Sequence, residues 1–80
     1  MKATVLVRPK PGILDPQGEA VQRSLKQLGF PVEEARVGRV VDLELDLGDA
    51  DRTRAELERM SEQLLANPVI ESYEISVTSE

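Results

Sequence analysis

Apolar side chains recur at positions 3, 5 and 7 of Ala3-Thr4-Val5-Leu6-Val7, the period-two pattern of a strand with one face on a core. Pro9-Lys10-Pro11-Gly12 ends it, because proline removes a ladder donor and glycine permits a turn. Asp15-Pro16 then reads as a helix start, a carboxylate cap followed by proline at the first helical position. The helix runs to about Leu28, with Val21, Leu25 and Leu28 on one stripe and Gln22, Arg23, Lys26 and Gln27 opposite. Gly29-Phe30 is its stop, glycine at C′ and an apolar residue at C″.

Residues 31–37 read as a second, irregular strand, since Val32, Ala35 and Val37 do not share one parity. Gly38-Arg39 makes a tight connection into a third strand over residues 40–47. There the odd positions Val41, Leu43, Leu45 and Leu47 are aliphatic and the even positions Asp42, Glu44 and Asp46 acidic, as in an antiparallel sheet with one covered face. Residues 48–51 form a turn and cap, and Thr53 to Ala66 reads as a second helix with Leu57, Met60 and Leu64 toward the core. Asn67-Pro68 halts it. A last strand follows, with Val69, Tyr73, Ile75 and Val77 on one parity.

The order β-α-β-β-α-β predicts an α+β, two-layer sandwich: an antiparallel sheet with two helices on one face, ferredoxin-like or related. Residues 1–80 make one domain, too short to divide into two cores. Leu6, Val40 and Ile70 fall on the sheet parity away from the helices. These three positions predict a second buried face, supplied by another copy of the chain.

Composition narrows the chemistry. The chain has no cysteine and no histidine, which removes disulfides, thiolate and imidazole metal sites, and the usual catalytic nucleophile and base. A net charge of −5 is the wrong sign for counterion-release binding to nucleic acid. No apolar run approaches the roughly 20 residues of a membrane span, and the N-terminal segment lacks the pattern of a signal peptide. A cytoplasmic location is expected. Asp42, Glu44 and Asp46 form an ordered carboxylate row, but alternate strand positions do not converge on one cation. The strand-to-helix segment from Gly12 to Gly18 has neither a Walker lysine nor a glycine fingerprint, and Asp15 places negative charge where a phosphate would sit.

Two longer segments are more particular than any periodicity. Lys10-Pro11-Gly12-Ile13-Leu14-Asp15-Pro16-Gln17-Gly18 resembles the K-P-G-V-L-D-P-Q-G signature of the small-subunit family of phosphoribosylformylglycinamidine synthase (PurS). Leu64-Leu65-Ala66-Asn67-Pro68-Val69-Ile70-Glu71 is similar to the same family's L-L-A-N-P-V-I-E signature, and Arg36-Val37-Gly38-Arg39 to its R-x-G-K hairpin. Ile13 stands where valine is usual, Arg39 where lysine is usual, and Ser61 where many members carry cysteine.

The resemblance implies a non-catalytic assembly subunit in de novo purine synthesis. It would work as a homodimer or dimer of dimers, bridging a large synthase subunit (PurL), which carries ATP and magnesium, and a glutaminase subunit (PurQ), and supporting ammonia transfer between them. No cofactor is implied in this chain. Turns and caps account for Pro11, Gly12, Asp15-Pro16 and Asn67-Pro68. They do not demand Lys10, Ile13, Leu14, Gln17, Arg36, Arg39 or Glu71, which are the expected partner contacts. The rival from another class is a small-molecule-binding regulatory domain of the ACT type, which would bind an amino acid or nucleotide as an isolated chain.

Overall fold

The computed structural model describes residues 1–45 and 48–78. Three strands, β1 (Lys2–Pro9), β2 (Arg39–Glu44) and β3 (Glu71–Thr78), and two helices, α1 (Pro16–Gln27) and α2 (Ala50–Met60), follow in the order β1-α1-β2-α2-β3. A π-helical turn, Ser61–Leu65, prolongs α2. The sheet is antiparallel with order β2-β1-β3, so β1 is central and β2 and β3 are edges.

Parity decides what the sheet buries. Ala3, Val5 and Val7 of β1 are buried, flanked in register by Val41 and Leu43 of β2 and by Tyr73, Ile75 and Val77 of β3. Leu57 and Ala66 close the core from the helical side. Three fully buried valine- or leucine-sized side chains make a small core, each contributing about 1.5–3 kcal/mol on burial. On the outer face the register sets Leu6 beside Val40 and Thr4 beside Asp42, where the threonine hydroxyl donates to the carboxylate at 2.9 Å.

Both helix starts are side-chain caps. Asp15 accepts from the Gly18 N–H at 3.0 Å and Asp49 from the Arg52 N–H at 2.7 Å, each satisfying a donor that has no partner within the helix. At the end of α1 the Gly29 N–H donates to the Lys26 carbonyl and the Phe30 N–H to the Leu25 carbonyl, both at 3.0 Å. Gly29 takes φ 98° there, the left-handed turn that the glycine at C′ was expected to make.

Three expectations are corrected. Residues 31–37 form no strand, so the sheet has three strands rather than the four of β-α-β-β-α-β, and Gly38-Arg39 does not close a hairpin. The segment is held by side chains instead of a ladder: Gln22 donates to the Glu33 carbonyl at 2.8 Å, and the Val37 N–H donates to Asp15 at 2.9 Å. The second helix buries Thr53, Leu57 and Ser61 rather than Met60 and Leu64. The π-helical turn, closed by the Ala66 N–H to the Ser61 carbonyl at 2.8 Å, adds one residue to the repeat, and the inward position passes to Ala66 while Leu64 is 82% exposed. Val69 also leaves its expected face, because it precedes β3 in a turn where its N–H donates to the Asn67 side chain at 3.1 Å. Of the third strand, Asp46 and Leu47 lie outside the described residues.

The two helices are covered unequally. α2 packs on β3 and the π-helical turn on β1, whereas α1 has no comparable packing against any strand among the described residues. Its stripe residue Leu28 is 73% exposed and Phe30, just beyond its end, 54%. The chain spans 50 × 27 × 14 Å.

Candidate functional site: a cross-linked corner

The end of β1, the start of α1, the approach to β2 and the turn into β3 meet at one corner. A cleft of about 240 Å³ there is lined by Ile13, Leu14, Asp15 and Gln17, by Val37 and Arg39, and by Ile70 and Glu71. The three signature segments, far apart in sequence, therefore share one surface.

Polar side chains hold that corner. Lys10 Nζ donates to the Pro68 carbonyl at 2.7 Å and the Lys10 N–H to the Ile70 carbonyl at 2.9 Å, joining the first signature to the last. Arg36 donates to the Pro9 carbonyl. Arg39 forms a two-pronged pair with Glu71, at 2.7 and 3.0 Å, and its guanidinium also reaches the Leu65 carbonyl. Glu71 accepts a further bond from the Asn67 N–H at 2.7 Å. With Arg39 half-exposed, solvent screening leaves such a pair about 0–1 kcal/mol. Its planar fork contributes alignment more than energy.

The charges follow from these contacts. The Arg39 fork, and then the Asn67 N–H, hold the Glu71 carboxyl below the usual carboxylate range, and Glu71 raises Arg39 in return. The Val37 and Gly18 N–H groups do the same for Asp15. Neither carboxylate is poised to move a proton near neutral pH.

Two glycines permit the close approach. A Cβ on Gly18 would collide with the Asp15 carboxylate and the Ala35 carbonyl, and one on Gly38 with the Val7 carbonyl of β1. Their spacing in the signatures is thus a packing requirement, which periodicity alone does not reveal.

The expected contact residues divide by what they do inside the chain. Lys10, Arg36, Arg39 and Glu71 are tied internally. Ile13, Leu14 and Gln17 are exposed, Leu14 by 74%. Ile70 stands with them in the cleft rather than beside Leu6 and Val40 on the outer sheet face. Leu6 and Val40 border a second cleft, of about 450 Å³, with Arg8, Arg36 and Arg39. Asp15 was legible as a cap, but the bond that its second oxygen accepts from the Val37 N–H was not. The Asn67 N–H and the Leu65 carbonyl were likewise missed, because they are backbone groups. Among the described residues no three acidic side chains stand where they could share a metal ion, and no helix is long and apolar enough to cross a membrane.

These features define a class: a small α+β module whose ordered polar residues fasten one segment to another and present an apolar rim. The family model for PurS, phosphoribosylformylglycinamidine (FGAM) synthase, matches residues 2–79. The PurS subunit of that synthase from Methanocaldococcus jannaschii is 42% identical over 77 residues, covering 95% of this chain and 93% of the relative. Its crystal structure superposes with a TM-score of 0.87 at 40% identity, over 99% of this chain and 96% of that one. A chain in the structure of PurLQS from Thermotoga maritima superposes with a TM-score of 0.85 at 32% identity, over 94% and 93% of the two chains. This chain belongs to the PurS family.

Proposed function

We propose that this chain is the small, non-catalytic subunit of a phosphoribosylformylglycinamidine synthase complex in the cytoplasm. It bridges the large synthase subunit, where ATP and magnesium act, and the glutaminase subunit, and it supports passage of ammonia between them. The observation that carries the reading is the division of labour at the corner: Lys10, Arg36, Arg39 and Glu71 fix the backbone, and Ile13, Leu14 and Gln17 project from it without burial. A pre-organised apolar rim beside a charge-locked turn binds without a large ordering cost. The likeness to a chain of the Thermotoga PurLQS structure supports the same assignment. Leu6 and Val40, on the outer sheet face, serve self-association as a homodimer or dimer of dimers, and Ile70 joins the rim with Ile13 and Leu14.

The test combines the large and glutaminase subunits with and without this chain and compares glutamine-dependent with ammonia-dependent turnover. Glutamine-dependent turnover should require the chain and ammonia-dependent turnover should need it less. Equal glutamine-dependent rates in both samples refute the role.

A further inference from the structure

The second cleft, of about 450 Å³, carries charge of one sign. Arg8, Arg36 and Arg39 line it, three of the chain's seven arginines, in a chain whose net charge is −5. No carboxylate belongs to its lining. Other clefts contain acid: Asp42 and Glu44 beside Lys2, Asp15 and Glu71 at the corner, Glu19 and Glu34 beside α1. The cationic grouping therefore runs against the overall charge of the chain.

The three guanidinium groups are not equivalent. Arg39 spends its fork on Glu71 and the Leu65 carbonyl. Arg8 stands 3.7 Å from Glu74 and Arg36 4.0 Å from Glu34, beyond hydrogen-bond reach, and both glutamate side chains are exposed, by 71% and 76%. Ion pairs of this kind are weak and screened, so another anion can take their place. Arg36 is nonetheless anchored, because it donates to the carbonyl of Pro9, itself a lining residue, and most of its five N–H donors stay uncommitted. Apolar surface adjoins these charges. Leu6, Pro9 and Val40 share the cleft, with Leu6 beside Val40 in register and Val40 58% exposed. An apolar floor with a few convergent charged groups, in this volume, is the make-up of a small-molecule site.

From this juxtaposition we infer that the cleft binds a small organic phosphate monoester, its phosphoryl oxygens between Arg8 and Arg36 and its apolar body over Leu6, Pro9 and Val40. The preference for phosphate over carboxylate follows from number. One guanidinium fork saturates the two oxygens of a carboxylate, whereas two forks match the three terminal oxygens and nearly two negative charges of a phosphate. Arg39, held by Glu71, fixes the wall of the cleft and is a positioning residue. The ligand joins the end of β1 to the approach to β2.

The test titrates the full chain with phenyl phosphate, inorganic phosphate and benzoate, following backbone amide chemical shifts. Leu6 and Val40 also belong to the face assigned above to self-association, so the chain concentration is held fixed. Phenyl phosphate should give saturable shifts at the lining residues of β1 and β2. Inorganic phosphate, which lacks the apolar body, should bind about tenfold more weakly, and benzoate should lose at least about tenfold for want of the second fork. Arg8→Gln and Arg36→Gln should each weaken phenyl phosphate about tenfold or more. If Arg36→Gln unfolds for loss of its bond to Pro9, Arg8→Gln decides. No saturation by about 10 mM phenyl phosphate, equal affinity for inorganic phosphate or benzoate, or unchanged affinity in a folded Arg8→Gln chain overturns the site. These titrations use the chain alone, so their failure is separate from failure of the bridging role, which only the three-subunit assay reads.

Discussion

Gly38→Ala tests whether the corner is set by steric contact. Gly38 does not occupy the left-handed region, so alanine is admissible in its backbone conformation and would stabilise by about 0.4–1 kcal/mol through the unfolded state alone. Against this, the new Cβ would collide with the Val7 carbonyl and lie 3.2 Å from the Val7 carbonyl carbon and 3.3 Å from Arg8 Cα. These are backbone atoms of the central strand, and none can rotate aside as a flexible side chain can. Relief requires the approach to β2 to move from β1, a shift of the kind that costs about 1–3 kcal/mol. The net destabilisation is about 1–2 kcal/mol. For a domain of this size that lowers the melting temperature by roughly 5–15 °C. The assay is thermal unfolding followed by circular dichroism, with parent and variant at equal protein concentration. A variant that melts at or above the parent temperature refutes the reasoning, since entropy alone would then govern the position.

Two other outcomes are expected. Asp15→Asn should destabilise the chain at pH 7, because an amide cannot accept from both Gly18 and Val37 as the carboxylate does. The folded chain lowers the pKa of Asp15, so the charged side chain stabilises above about pH 4 and that contribution is lost as pH falls through the lowered value. The gap in urea midpoint between parent and variant should therefore narrow on acidification, and a gap independent of pH would be contrary. Leu14→Asp, at an exposed rim position, should change the chain's own stability by no more than about 0.5 kcal/mol. It should nonetheless reduce glutamine-dependent turnover of the assembled complex at least tenfold. Full turnover with the variant would remove Leu14 from the contact surface.

Much of the fold was legible because it rests on local chemistry. Asp15-Pro16 capped α1 and Gly29-Phe30 ended it as expected, and the odd positions of β1 and β2 faced the core. What escaped the pattern depended on contacts distant in sequence. The segment 31–37 is organised by Asp15 and Gln22 from another element, and no periodicity within it could announce that. The shift from Leu64 to Ala66 comes from a wider helical turn, which has no compositional signature. The signature segments were readable as distinctive, yet their meeting at one corner is a property of the sheet order β2-β1-β3.

That order also leaves β2 with one side free of a neighbouring strand. Bare strand flanks can template stray chains into fibrils, a hazard that charged side chains reduce. Asp42 and Glu44 alternate along this flank, so a second β2 drawing alongside would bring acid against acid. The acidic row thus has a consequence unrelated to metals or catalysis: it opposes polymerisation of the polypeptide with its own kind through that flank.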